Sequence, residues 1–132
     1  MTLSVSVVSP ERVLYTGEAM MVATRTVGGG DIAFQTDHAP FIAALAVWPL
    51  RVIEGEGKVE TIAVHGGFVE VSKNSVTVLS DVAELSSQID AGRALRAKDA
   101  AEAALVADPD DAEAAAALLR ANVRLQTVGQ HV

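Results

Sequence analysis

The feature that most constrains the fold is a change of period near Ser86. Residues 1–86 break into short alternating or apolar segments divided by turn residues, whereas residues 88–132 hold 14 alanines in 45 positions. Alternation of period two builds half-buried strands, and alanine is the strongest helix former. One chain therefore carries two architectures in succession.

The strand signals are "LSVSVV" (3–8), "EAMMVATRTV" (18–27, entered through a turn at Gly17), "DIAFQ" (31–35), "PLRVIE" (49–54), "KVETIAV" (58–64), "FVEVS" (68–72) and "SVTVLS" (75–80). Gly55-Glu56-Gly57 and Lys73-Asn74 read as hairpin turns. Short strands at such close spacing predict an antiparallel β-sandwich or flattened barrel. Beyond it, Ser86 or Ser87 is expected to cap a first helix reaching about Val106. "ADPDD" then stops that helix and starts another, with Asp108 as N-cap, Pro109 in the first turn, and Asp110 and Asp111 at the positive helix end. Gly129 marks its close. The expected architecture is a β-sandwich over residues 1–86 followed by an antiparallel two-helix hairpin over residues 87–132.

Several function classes fall away on composition. Seventeen acidic against 10 basic residues leave a formal charge of −7, which opposes nucleic acid or an anionic membrane as a direct partner. The chain has no cysteine, which removes disulfides, thiolate chemistry and Cys-based zinc sites. No basic stretch precedes an apolar one at the N-terminus, so no signal segment is expected. The longest apolar run, "FIAALAVW" (41–48), falls far short of the roughly 20 residues that span a bilayer. The histidines, His38, His65 and His131, lack metal-ligand spacing, and no metal site is expected. Asp37 beside His38 invites a catalytic reading, but no nucleophile elbow accompanies them. Pro40 steers Ala39 out of helical geometry, so the segment reads as a turn. "VGGGD" (27–31) and "HGGF" (65–68) lack the Lys and helix start of a phosphate loop. No catalytic residue is expected.

The hairpin is more informative. Its expected seam pairs Ala94, Ala97, Ala101, Ala104 and Leu105 with Ala112, Ala115, Ala116, Leu119 and Val123. A seam of alanines holds weakly, at about 0.8 kcal/mol per buried carbon. With a turn near residue 108, antiparallel packing brings Arg93 level with Arg120 and Arg124, and Asp90 close by. Neither Arg120 nor Arg124 has a carboxylate three or four residues away in its own helix. Guanidinium groups short of counterions suit a polyphosphate, which their forks bind bidentately. The alternative is a solvated helix face, or an acid of the sandwich such as Glu84 docked against it.

Four stretches carry a family resemblance: "VVSPERVLYTGEA" (7–19), "GGDIAFQTDHAPFIAAL" (29–45), "HGGFVEVSKNSVTVLSDVAE" (65–84) and the closing helical pair. Over essentially its full length the chain resembles the epsilon subunit of bacterial F-type ATP synthase. The resemblance implies a non-catalytic subunit of a proton-translocating synthase, peripheral at the cytoplasmic face of the cell membrane and touching the membrane only through the complex. It implies partners: the gamma subunit and the c-ring for the sandwich, and the alpha and beta subunits when the helices extend to restrain ATP hydrolysis. By the same match Asp31 and His38 become c-ring contacts. No cofactor is implied, but some members bind ATP as a regulatory ligand through Ile/Leu-Asp-x-x-Arg-Ala, which Ile89, Asp90, Arg93 and Ala94 match in full. Glu84, Arg120 and Arg124 fall at further positions of that site, while Ala100 stands where a basic residue is expected. Two rival readings are a stand-alone anion or ATP sensor with this same architecture, and a hydrolase built on His38.

Overall fold

A computed structural model describes residues 2–129; the expectations for His131 and the last residues lie outside them. Strands β1 (Leu3–Val8), β2 (Val13–Ala19), β3 (Met21–Thr26), β4 (Gly30–Phe34), β5 (Phe41–Gly55), β6 (Lys58–Ser72), β7 (Ser75–Leu79) and β8 (Ala83–Leu85) come first. A 3₁₀ turn at Ser86–Gln88 leads into helices α1 (Ala91–Ala107) and α2 (Ala112–Thr127). The strands form one sheet in the order β2-β1-β7-β6-β5-β3-β4, with β8 added to β6. All neighbours are antiparallel except β1 and β7.

The sheet folds on itself because β5 and β6 change inward face partway along. In β6 the positions that face the core are Ile62 and Val64 before the corner but Val69 and Val71 after it; in β5 they are Leu45 and then Leu50 and Val52. Side chains alternate strictly along a strand, so the change of parity requires a bend. Gly66 and Gly67 supply it in β6 with φ of +90° and +120°. At Gly67 an added Cβ would collide with the Leu79 carbonyl oxygen. On the far edge β6 exchanges partners across this corner, pairing with β8 at Ile62–Val64 and with β7 at Phe68–Ser72. Buried Ser80 ties the exchange together, its Oγ donating within reach of Gly66 O at 2.8 Å and Val82 O at 2.9 Å. The enclosed core is aliphatic, with Leu3, Val5, Val7, Val22, Leu50, Val52, Ile62, Val64, Val76 and Val78 around Phe34.

The sandwich-plus-hairpin architecture is therefore as expected, with local corrections. Gly17 is not a turn but lies inside β2, and a separate strand, β3, begins at Met21. The apolar run 41–48 is the first half of β5. The first helix is capped by Asp90 rather than Ser86 or Ser87, which fall in the 3₁₀ turn. Asp111, not Asp108, caps the second; Asp108 instead braces the turn, its Oδ1 accepting from Asp110 N at 3.1 Å.

Helix α2 lies between α1 and the outer face of β5 and β6. It carries two buried stripes: Ala114, Ala121 and Leu125 on one side, Val123 and Thr127 on the other. Thr127 lines a hollow with Pro49 and Thr61, so the second stripe faces the sheet. The expected seam is correct for Ala94 and Ala101 but misphased on α2. Ala112 and Ala115 are exposed, Leu119 is 54% exposed, and Ala97 of α1 is exposed as well.

Candidate functional site

Helix α1 begins where β8 has just left the sheet, so its first turn stands beside Glu84. Asp90 caps that turn by accepting from the Arg93 backbone N–H at 3.1 Å, which leaves the Arg93 guanidinium uncommitted by Asp90. On the neighbouring helix, Arg124 reaches back to the sandwich and donates from Nε to Glu84 Oε1 at 2.8 Å. That same oxygen accepts from His65 Nε2 at 2.8 Å. Burial, the largest single influence, acts to raise the Glu84 carboxyl, but the two hydrogen bonds together with the Arg124 charge hold it below the usual carboxylate range.

These contacts frame a cleft of about 250 Å³ lined by Glu84, Gln88, Ile89, Asp90, Arg93, Ala94, Ala97 and Arg124. Six of the seven candidate residues thus converge: Glu84, Ile89, Asp90, Arg93, Ala94 and Arg124. Arg120 does not join them. Its Nη2 donates to Glu113 Oε1 at 2.9 Å, two turns back along α2 and on the exposed surface. A partner seven residues away escapes a search limited to the adjacent turn.

A larger hollow, about 760 Å³, lies elsewhere, between the end of α2 and strands β3, β4 and β5. It is walled mainly by Ile32, Trp48, Pro49 and small side chains, and the Asp31 at its rim is already paired with Arg25. Size favours that hollow, but only the smaller cleft joins guanidinium groups from two helices.

The two other predicted positions lie at opposite ends of β4. Asp31, at its start, accepts from Arg25 Nε at 2.9 Å, and the Arg25 guanidinium stacks 3.6 Å from the Trp48 ring centroid. His38 follows the strand's end and packs edge-on against Phe34 and Phe41, with Nδ1 2.7 Å from Ala39 O. Asp37 turns away, its backbone N–H donating to Asn74 Oδ1 at 2.6 Å. No Asp–His dyad forms there, and no three His, Asp or Glu side chains gather to hold a metal among the described residues. His65, weighed in the sequence only as a metal ligand, has its role here as a partner of Glu84; its one signal is a polar side chain that ends the apolar run "IAV" before the glycine pair.

Residues 2–86 match the family profile of the ATP synthase delta/epsilon chain β-sandwich domain. The chain is 39% identical over 130 residues to the ATP synthase epsilon chain of Shouchella clausii, covering 98% of itself and 96% of that relative. It is 41% identical to the epsilon chain of Symbiobacterium thermophilum, covering 96% and 93%. The chain belongs to the ATP synthase epsilon-chain family. As an epsilon chain it is a non-catalytic subunit of F-type ATP synthase. Its fold is also similar to a chain in the Euglena gracilis mitochondrial ATP synthase OSCP/F1/c-ring structure, with TM-score 0.71 and 19% identity over 96% of this chain and 77% of that one. Among the described residues no helix of this epsilon chain is long and apolar enough to cross a membrane.

Proposed function

We propose that this epsilon chain is a rotor subunit that binds the gamma subunit and c-ring through its sandwich and restrains ATP hydrolysis through its hairpin, with ATP biasing the hairpin toward the docked form. On this reading it works peripherally, at the cytoplasmic face of the membrane, in a proton-translocating synthase. The observation that carries the regulatory part is the composition of the cleft: Glu84 comes from β8, Arg93 from α1 and Arg124 from α2. The site therefore exists only while the hairpin lies on the sandwich. A ligand that binds the docked form alone stabilises it by RT ln(1 + [L]/Kd). The cleft is smaller than enclosed small-molecule sites of roughly 300–1,000 Å³, so it would grip phosphates and leave part of the nucleotide in solvent. With ATP scarce, the helices leave the sandwich and reach toward the alpha and beta subunits.

The outer face of the sandwich supports the docking part. Ala44, Phe68, Leu79, Val8 and Val13 stand in register across five strands, and Phe68, Leu79 and Val13 are 56%, 52% and 60% exposed. An apolar row of this kind fits a protein partner such as gamma. Asp31 and His38 are proposed as c-ring contacts, engaging it from the two ends of β4.

Calorimetric titration of the chain with ATP tests the ligand. Saturable heat that disappears in the Arg93→Ala, Arg124→Ala double variant and survives in Arg120→Ala is expected. No heat up to millimolar ATP would reduce Asp90 and Arg93 to a helix start.

A further inference from the structure

Where α2 meets the sandwich, side chains from two elements converge on one oxygen of a third. Glu84 Oε1 on β8 accepts both from Arg124 Nε on α2 and from His65 Nε2 on β6, each at 2.8 Å. The His65 side chain is 5% exposed, and its second ring nitrogen, Nδ1, is buried with no hydrogen-bond partner. Donation to a carboxylate places the proton on Nε2 and leaves Nδ1 a bare lone pair. A second proton, at Nδ1, would be a buried donor facing no acceptor, which carries a desolvation penalty.

Of the charges around the ring, the Glu84 carboxylate favours that proton and the two arginines of α2 oppose it. Glu84 faces it from β8, and Arg124 and Arg120 act on it from α2; β5 opposes it with Val47. Burial, the largest influence, pushes the imidazole below its ordinary 6.5; the Glu84 hydrogen bond pulls it back, and the two arginines push it down again.

We propose that His65, Glu84 and Arg124 form a proton-sensitive latch: α2 stays on the sandwich while His65 is neutral, and protonation of His65 releases the hairpin. This rests on the reading that the hairpin leaves the sandwich at all. Lifting α2 removes both the cover over the ring and the Arg124 charge, so the released form takes up the proton more readily than the docked one. Docking is therefore at full strength above pH 6.5, the ordinary histidine value, and weakens as pH falls below it. For one proton the docking equilibrium changes by at most about tenfold per pH unit.

The absence of cysteine makes the test direct. Dyes on Glu56→Cys, at the β5–β6 hairpin tip, and Asp110→Cys, at the α1–α2 turn, report the hairpin position in the full chain by energy transfer. Titration runs between about pH 8 and pH 5.5, above the ordinary carboxylate range. A released fraction that rises on acidification and stays flat in both His65→Gln and His65→Ser is the expected result; two variants guard against one that fails to fold. An equal rise in both would overturn the latch, because another group would then be titrating. A flat wild type beside a released Arg124→Ala variant also overturns it, yet leaves the mobile hairpin intact. Flat responses in wild type and Arg124→Ala alike overturn the latch and the mobile hairpin together.

Discussion

The sandwich and the hairpin are held by different material. The sandwich core gathers fifteen buried side chains, nearly all valine, leucine, isoleucine or phenylalanine, and draws none of them from beyond Leu85. The buried positions of the hairpin are Ala94 and Ala101 on α1, with Ala114, Ala121, Val123, Leu125 and Thr127 on α2. A fully buried Val or Leu contributes about 1.5–3 kcal/mol and an alanine methyl about 0.8 kcal/mol. The sandwich is thus self-sufficient, while the hairpin depends on a thin seam and a cluster at Glu84. The core beneath the hairpin is complete without it.

Three substitutions probe the contrast in decreasing order of effect. Leu50→Ala removes a fully buried side chain from the sandwich and is expected to cost roughly 2–5 kcal/mol. Chemical denaturation should show that loss as a lowered midpoint for the sandwich; a cost below about 1 kcal/mol would mean the core is not close-packed there. Glu84→Gln removes the negative charge from the shared acceptor of His65 and Arg124 and should weaken docking by about 1–2 kcal/mol. Hydrogen exchange ought to speed up along α2 while β1 and β7 keep their protection. If both regions loosen together, the two are not independent. Asp90→Ala deletes the cap on α1 and is expected to cost about 1 kcal/mol, seen as faster exchange confined to the first turn. An undisturbed first turn would leave the capping hydrogen bond without energetic weight.

Legibility also divides between the two regions. In β1, Leu3, Val5 and Val7 are buried while Ser4 and Ser6 are not, and that alternation was plain. It failed at residues 41–48, because β5 changes its inward face at the corner and periodicity is lost where the parity flips. Gly17 misled because glycine commonly marks a turn; here it pairs with Val5 inside a strand. In the hairpin the fault lay in phase. When eight of the 17 positions of α1 and six of the 16 of α2 are alanine, no stripe stands out, and α2 buries two because it has a neighbour on each side. Several aspartates in "ADPDD" could cap equally well by type, and only the backbone selects Asp111. The motif residues around Asp90 were readable because they are local. The clasp of Arg124 on Glu84 spans forty positions, and His65 carries no spacing signal.

The alanine seam bears on rate as well as strength. Alanine has no side-chain torsion to fix, so forming a seam from it freezes almost no rotamers and parting it frees almost none. A leucine-lined seam must interdigitate side chains each time it closes, and mismatched closures become traps. Along Ala94, Ala101, Ala114 and Ala121 there is little to mismatch. On the proposed reading, in which the hairpin leaves the sandwich, such a seam would let the two helices meet and part in many near-equivalent trials.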